Sequence, residues 1–312
     1  MIALDAGLAA LIVALGVWVI RARSAFAAVA GFLAYGLLLT LVWVRLHGVD
    51  VALTEAAIGG GLTGALLIGA AARLRETEVA ARSEQPGRIV HVAAALAAIA
   101  VTAALAVGVL TLPVPAPSLA QEVAANLAVT EVGNPITGVL LAFRAMDTLL
   151  EAIVLLFALI GVWSVAPDGV WGGRPGPQHR LDPDGILAYI ARVLPPIGII
   201  VGMYIFWVGA DHPGGKFQGA TILAAMWLLT IMAGLTDMPP ISRRWLRVGL
   251  VAGPLAFIAI GLYGAMAAGA FLAYPVGFAK PLIVVIELAL MPTLALVLAL
   301  MLAGAPQRSA VR

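Results

Sequence analysis

Cysteine is absent from this 312-residue sequence, and histidine occurs only four times. The absence of cysteine excludes disulfide bonds, thiolate metal ligands and dithiol redox pairs. Iron–sulfur clusters are held mainly by cysteine thiolates, so a role in that kind of electron transfer is excluded as well. The few scattered histidines also argue against a haem role. We therefore expect neither a redox cofactor nor a metal site in this chain.

Charged residues are also scarce. They make up 11% of the chain, whereas a soluble domain has about 25%. Hydrophobic residues make up 62%, and the mean hydropathy is +1.07, which together predict an integral membrane protein. The net charge of +2 is too small to suggest binding of nucleic acid.

Motifs of covalent catalysis are missing too. The sequence has no nucleophile–base arrangement, no phosphate-binding loop and no dinucleotide fingerprint. We therefore expect no enzymatic activity and no bound cofactor. The first residues, MIALDAG, contain Asp5 and no basic residue, so they indicate a first transmembrane helix rather than a cleaved signal peptide.

Long apolar runs predict an all-α, polytopic membrane protein. A helix needs about 20 predominantly apolar residues to cross a bilayer, and about nine stretches meet this requirement. The predicted spans are residues 2–20, 25–45, 51–72, 89–111, 136–164, 186–209, 217–236, 246–268 and 281–303.

The basic residues predict the orientation of these spans. Most basic residues outside the spans follow odd-numbered spans and therefore lie on one side of the membrane, and only Arg45, Lys216 and Lys280 lie at the opposite boundary. The basic residues that follow odd-numbered spans are Arg21, Arg23, Arg73, Arg75, Arg82, Arg88, Arg174, Arg180, Arg243, Arg244, Arg247, Arg308 and Arg312. Because lysine and arginine concentrate on the cytoplasmic side, this pattern predicts an external N-terminus and a cytoplasmic C-terminus.

Two polar connections divide the chain into three predicted modules. Residues 75–88 are charged, and residues 166–184 are rich in glycine and proline and lack a helical period. The modules are residues 1–80 with three helices, 81–170 with two and 171–312 with four. Between the fourth and fifth spans, SLAQEVAANLAV is predicted to form a short amphipathic helix on the external surface.

Three charged residues interrupt the fifth apolar run. Arg144, Asp147 and Glu151 are spaced by three and four residues, which places them on one stripe of a helix. Charges near the bilayer centre are costly, so they usually face a protein interior and mark an ion or proton path. The alternative is a structural ion pair that joins two helices. Glu151 favours the functional interpretation, because one arginine does not neutralise two carboxylates.

A further acid, Glu55, lies about one turn inside the third predicted span. Gly59, Gly60 and Gly61 follow it. Three consecutive glycines weaken a helix, and they permit either close helix packing or a local helix break that frees backbone carbonyl groups. Packing is the simpler explanation of the glycines alone. An acid at this depth beside a flexible point suits a cation or proton site.

Glu287 and His91 are the other candidates for proton transfer. Glu287 lies about two turns inside the ninth span, between Pro281 and Pro292. His91 opens the fourth span, where imidazole titrates near neutral pH, although a plain interfacial role is the alternative. The turn GADHPGGKFQGA places Lys216 at a membrane boundary, and a surface hairpin is its simplest interpretation.

At these motifs the sequence resembles subunits of Mrp-type cation/proton antiporters. VDVALTEAAIGGGLTGALL is similar to the signature of an MbhD-like module, which also occurs in membrane-bound hydrogenases. NPITGVLLAFRAMDTLLEAIVLLFALIGV resembles the MbhE-like module that follows it at the C-terminal end of the large A subunit. GADHPGGKFQGATILAAMWLL, with the helix around Glu287, resembles the B subunit, of the MnhB/MrpB family.

The resemblance implies a function. Mrp antiporters exchange cytoplasmic sodium for external protons in multi-subunit assemblies related to the membrane arm of complex I. The implied protein is a multi-pass subunit of the cell inner (plasma) membrane. Its implied partners are lipid, Na⁺, H⁺ and other antiporter subunits, among them a separate large antiporter-like chain. Glu55, Asp147 and Glu151 match acids of the family's modules, and the glycine triplet matches the bulge of the complex I J-type subunit.

Two other functions stay open at this point. The equivalent subunit of a redox-driven ion pump, such as a membrane-bound hydrogenase or a complex I relative, carries similar modules. A purely structural scaffold is the third interpretation. In the first two cases the predicted ion or proton path comprises Glu55, Arg144, Asp147, Glu151, Glu287 and His91.

Overall fold

The computed structural model describes residues 2–81, 87–115, 117–177 and 180–307. Every regular element in these ranges is a helix, which confirms the all-α prediction, and extended backbone pairs only in an isolated bridge between Pro175 and Pro306. Arg82, Arg308 and Arg312, which entered the orientation argument, lie outside the described residues.

The N-terminal half contains five helices and one π-helical segment. A π-helix over Glu55–Leu62 joins the third and fourth helices without a gap, so that residues 49–72 form one candidate span. The helices are α1 (Ile2–Arg21), α2 (Ala25–Arg45), α3 (Val49–Thr54), α4 (Thr63–Ala81) and α5 (Arg88–Leu110).

The second half begins with a short helix at the surface, as predicted from SLAQEVAANLAV. It is α6 (Ala120–Asn126), continued by a 3₁₀ turn over Leu127–Thr130. The later helices are α7 (Pro135–Gly138), α8 (Ala145–Ser164), α9 (Ile186–Val208), α10 (Lys216–Met232), α11 (Arg244–Ala267) and α12 (Ala279–Ala303).

The predicted spans correspond to helices of the fold. Among the described residues, eight helices are long and apolar enough to cross a membrane, and the chain is a multi-pass membrane protein. The predicted span of residues 217–236 is α10, which has only 17 residues. The fifth predicted span, residues 136–164, is the other exception, because its helix is interrupted.

The connections gather at two opposite ends of the molecule. At the Asn134 end, the side-chain amide of Asn134 donates to the carbonyl of Gly209 at 3.2 Å. At the Arg174 end, the guanidinium of Arg174 pairs with Asp237 at 2.6 Å. The Asn134 end contains residues 46–48, 127–134, 209–215 and 268–278, and the Arg174 end contains residues 166–177 and 233–243. This alternation agrees with the predicted order of the spans.

The C-terminal helix α12 lies at the centre of the packing. It contacts α8, α10 and α11, and Ile283, Ile286 and Leu290 on it are fully buried. The equally apolar α5 contains no buried residue. Glu287, in the interior of α12, is therefore enclosed by this chain, whereas the surface of α5 is left to lipid or to another chain.

The fifth predicted span is interrupted at Arg144, whose backbone is non-helical at φ −129° and ψ 36°. A π-helical turn precedes Arg144. Two nearby carbonyl groups receive hydrogen bonds from hydroxyl groups, that of Leu140 from Thr148 and that of Leu141 from Tyr274, both at 2.6 Å. Because backbone groups within a membrane need such partners, these bonds stabilise the interruption. The prediction of one uninterrupted helix was wrong here.

Candidate ion or proton site

A polar cavity of about 260 Å³ lies where the three predicted modules meet. It is bordered by α3, α7, α8, the turn before α10, and α12. Much of its wall is apolar. Its polar lining residues are Asp50, Thr54, Thr137, Glu151, Lys216, Gln218 and Glu287. Each predicted module thus contributes an acid to one enclosed space.

Lys216 and Glu287 form a buried ion pair in this cavity. Each residue is 3% exposed. The Nζ atom of Lys216 lies 4.0 Å from Oε1 of Glu287. This separation exceeds the roughly 2.7–3.2 Å of a direct hydrogen bond, so the donors of the ammonium group are available to water in the cavity. The ring of Phe217 also faces the ammonium, with its centroid 5.6 Å away.

The turn before α10 places Lys216 at this depth. Gly214 and Gly215 have φ values of 150° and 134°, in the region that favours glycine. A Cβ atom on Gly214 would also collide with the carbonyl oxygen of Ile205. The chain re-enters the protein here and begins α10 beside Glu287. Glu287 itself lies eight residues, or about 12 Å, from the start of α12. Re-entry explains the short α10 and corrects the interpretation as a surface hairpin.

The N-terminus of α10 is a second positive neighbour of Glu287. A Cβ atom built on Gly215 would lie 3.7 Å from Oε1 of Glu287. The carboxylate therefore adjoins the residue that precedes the helix. Because the unpaired N–H groups give a helix N-terminus a partial positive charge, an anion is favoured at this position.

Asp50 and Gln218 join the N-terminal helices to α10. The Oδ1 atom of Asp50 accepts hydrogen bonds from the amide of Asn134 at 3.2 Å and from the backbone N–H of Gly214 at 3.0 Å. The amide of Gln218 donates to the hydroxyl of Thr54 at 3.0 Å. These bonds form one wall of the cavity. Sequence reasoning missed both residues, because an acid or amide near a predicted membrane boundary is commonplace.

The three charges of the fifth span separate in space. Glu151 lines the cavity and is also accessible at the surface of the chain. Arg144 and Asp147 pair with each other, with side chains 71% and 52% exposed, and neither lines the cavity. Since the backbone at Arg144 is not helical, the predicted single stripe was wrong for this residue. The structure brings Glu151 to the buried pair and leaves the other two charges outside.

Glu55 faces α2 rather than the cavity. A Cβ atom on Gly36 of α2 would lie 3.5 Å from Oε1 of Glu55, and one on Gly59 would collide with the same carboxylate. Gly59, Gly60 and Gly61 all lie in the π-helix, which continues the span instead of breaking it. Glycine here makes room for the acid, and π-helical turns are frequent at functional sites. The role of Glu55 and of the three glycines in an ion path stays a prediction.

His91 lies in the first turns of α5 and does not line the cavity. Its role in proton transfer stays a prediction. Within the described ranges, no group of three or more histidine, aspartate and glutamate residues is arranged to hold a metal ion.

A second lysine–acid pair lies at the solvent-facing Asn134 end. Lys280 donates to both carboxylate oxygens of Asp211, at 2.7 and 2.6 Å, and the backbone N–H of Gly133 donates to Oδ1 at 3.1 Å. The hydrogen bond from Lys280, aided by that from Gly133, holds the pKa of Asp211 below its ordinary value, although partial burial opposes this. The pair joins a loop, a turn and α12 outside the cavity.

Two protein families match the chain. Residues 10–76 match the MbhD family, the D subunit of MBH, and residues 186–305 match the "Domain related to MnhB subunit of Na+/H+ antiporter". The first match contains Glu55, and the second contains Lys216 and Glu287. The resemblance predicted for the two ends of the chain is therefore confirmed. The assignment of residues 81–170 to an MbhE-like module stays a prediction.

Three proteins are similar to this chain. An uncharacterised protein of Methanocaldococcus jannaschii is 24% identical over 154 residues, which are 45% of this chain and 59% of that protein. A chain of the Mrp complex from Dietzia sp. DQ12-45-1b has a TM-score of 0.71 and 23% identity over 98% of this chain and 35% of that chain. This chain thus spans less than two thirds of either protein.

The third similar protein is a chain of the membrane-bound sulfane sulfur reductase, an archaeal respiratory membrane complex. Its TM-score is 0.54 and its identity is 24%, over 69% of this chain and 98% of that chain. At such identities, the likeness to both solved structures establishes the fold alone.

Proposed function

We propose that this chain, which joins an MbhD module to a domain related to the MnhB subunit of a Na⁺/H⁺ antiporter, is a membrane subunit of an Mrp-type cation/proton antiporter. One observation carries the proposal: the two modules meet at a cavity that charged side chains of both modules line. Asp50 of the first module borders the cavity that encloses Lys216 and Glu287 of the second. The chain in this role is not an enzyme, and it contributes acids to the path of Na⁺ or protons.

Two groups of charged residues serve the path under this proposal. Glu151 and Glu287 act inside the chain, at the cavity. Glu55 acts beside α2, and His91 and the exposed pair of Arg144 and Asp147 act toward neighbouring subunits. Charges within a membrane span normally face protein or a water-filled cavity rather than lipid, so the exposed pair supports a partner chain at this face.

The proposal includes an assembly and an orientation. The partners are other Mrp-like subunits, among them a separate large antiporter-like chain, in the cell inner (plasma) membrane. The Asn134 end and the N-terminus face outward, and the C-terminus is cytoplasmic, in line with the distribution of arginine. The chain comprises an MbhD-like module at residues 1–80, an MbhE-like module at 81–170 and an MrpB-like module at 171–312.

Sodium-driven proton movement in membrane vesicles tests the proposal. The chain is expressed with its co-purifying subunits in cells that lack their own sodium/proton antiporters, and the collapse of an imposed proton gradient on addition of sodium is recorded. We expect exchange with the wild type. Glu287→Gln should lower its rate roughly tenfold or more, which corresponds to about 1.4 kcal/mol of barrier, whereas Lys280→Met should leave it intact.

Two results would contradict the antiporter role. A wild-type complex that ignores sodium would exclude it. Unchanged exchange in Glu151→Gln, Asp147→Asn and Glu287→Gln, with the complex assembled, would instead support a purely structural scaffold.

A redox-driven ion pump is the second candidate function. The fold similarity to a chain of a respiratory membrane complex favours this function. The similarity covers 98% of that chain. Identification of the subunits that co-purify with the chain separates the two functions. Hydrogenase, sulfur-reductase or quinone-reductase subunits would support the redox-driven pump, and further antiporter subunits without them would support the antiporter.

A further inference from the structure

The cavity holds unequal numbers of acidic and basic side chains. Glu151 on α8 and Glu287 on α12 face a single basic residue, Lys216 on α10. Asp50 on α3 also lines the cavity, but two N–H groups already donate to its Oδ1 and stabilise its charge. Tyr274, in the connection before α12, adds no charge, because burial and the neighbouring Glu287 raise the pKa of its phenol. Glu151 and Glu287 both lie within candidate membrane spans, where an unbalanced charge is strongly unfavourable, so this site requires one more positive charge.

The remaining oxygen atoms favour a proton over a metal ion. The hydroxyl of Thr137 is engaged with the carbonyl of Gly209 at 2.6 Å, and that of Thr54 with the carbonyl of Asp50 at 3.0 Å. Hard cations need a shell of several oxygen ligands, whereas Glu287 already accepts a hydrogen bond from the backbone N–H of Lys216. The ammonium of Lys216 also stands beside this carboxylate.

We propose that Glu151 and Glu287 share one exchangeable proton across this cavity, and that Lys216 is a tethered cation that reserves the site for protons rather than sodium. In a transfer step, the proton leaves one carboxyl group, passes through water in the cavity and binds to the other carboxylate, while Lys216 stays protonated. Because Glu151 is accessible and Glu287 is buried, the step links the surface of the chain to its interior. The inference rests on the proposed function in treating this proton as a transported one.

Infrared difference spectroscopy of protonated carboxyl groups tests the shared proton in the purified complex that contains this chain. The wild type should show one protonated carboxyl group from the cavity at neutral pH. Glu151→Gln and Glu287→Gln should each remove this band entirely, because the remaining carboxylate then balances Lys216. Loss of the band in only one of the two variants, or in neither, would overturn proton sharing.

Substitutions of lysine test the tethered cation. Lys216→Met should double the band, since both acids must then be neutral, whereas Lys216→Arg should leave a single band. Lys280→Met is the matched control, because it removes the lysine of the exposed pair with Asp211, and it should change nothing. A single band in Lys216→Met would overturn the role of Lys216. If Lys216→Met fails to assemble, the test rests on Lys216→Arg, Glu151→Gln and Glu287→Gln. A single band in the first variant and no band in the other two are then the expected results.

Sodium provides the last arm of the test. Titration of the wild-type complex with sodium at constant pH should leave the carboxyl band unchanged. A sodium-dependent loss of the band would show that sodium replaces the proton, and would overturn the exclusion of sodium by Lys216.

The spectroscopic result is independent of transport. A complex that shows the shared proton but does not exchange sodium for protons contradicts the proposed function alone. Exchange in a complex without the shared proton contradicts this inference alone.

Discussion

The ion pairs Lys216–Glu287 and Arg144–Asp147 both interrupt apolar segments of this chain, and their surroundings are opposite. Lys216 and Glu287 are each 3% exposed, whereas the side chains of Arg144 and Asp147 are 71% and 52% exposed. The exposed pair is local, with its residues three positions apart on the chain. The buried pair joins two helices that are distant in sequence. A local pair forms wherever its helix lies, but a long-range pair needs the whole fold around it.

The difference separates two uses of intramembrane charge. The fold encloses the buried pair with its own side chains. The exposed pair is not enclosed, and a span leaves such charges uncovered only where another protein surface meets them. We therefore propose that the first pair marks an internal site and that the second marks a face for a partner.

The largest expected effect comes from Lys216→Met. Removal of one partner leaves Glu287 buried and unpaired, which costs about 3–5 kcal/mol in comparable buried pairs. The folded variant must then bind a proton that the unfolded chain does not bind at neutral pH, so the loss should shrink as the pH is lowered. Thermal unfolding in detergent at several pH values measures both effects. A loss no larger than that in Lys280→Met would remove the distinction between enclosed and exposed pairs.

Asp50→Ala should have the next largest effect. It leaves the N–H of Gly214 without an acceptor, and an unsatisfied buried donor costs about 1–3 kcal/mol, whereas the amide of Asn134 keeps the carbonyl groups of Gly209 and His212. The same unfolding measurement applies. Asp5→Ala, which removes the exposed partner of Arg45, is the matched control and should have a smaller effect. Equal effects of the two substitutions would show that the hydrogen bonds of Asp50 do not hold α3 to the turn before α10.

Asp211→Asn should destabilise the protein by less than about 1 kcal/mol, because the pair with Lys280 faces solvent. The pKa of Asp211 is lowered in the folded state. Its contribution is therefore present above the ordinary aspartate pKa of about 3.9 and is lost as the pH falls through the lower folded value. Unfolding of wild type and variant should converge in acid. A difference that grows in acid would contradict this sign.

Arg144→Met should have the smallest effect on the stability of the chain itself, within about 0.5 kcal/mol, since exposed ion pairs contribute little. Its consequence should appear in assembly, because the charge faces a partner. Co-purification of neighbouring subunits with the variant measures this. Loss of stability without loss of partners would reverse the assignment of the two pairs.

The sequence predicted much of the helical plan. Asn134 and Pro135 predicted a helix start, and the side chain of Asn134 caps it by accepting a hydrogen bond from the N–H of Ile136 at 2.9 Å. Glu287 was identified as a buried acid, which the structure confirms. The interruption at Arg144 was missed, because the hydroxyl groups that stabilise it come from Thr148 and from the distant Tyr274.

The location of the spans, the absence of thiol chemistry and the presence of acids in apolar helices were all readable from the chain alone. The transfer of a helix into a bilayer depends mainly on its own composition, so it is a local property. The association of Lys216 with Glu287 and Glu151 was not readable, because it depends on a re-entrant turn at Gly214 and Gly215 and on the packing of three helices. Charges that meet across helices are brought together by the fold, and spacing along one helix carries no information about them.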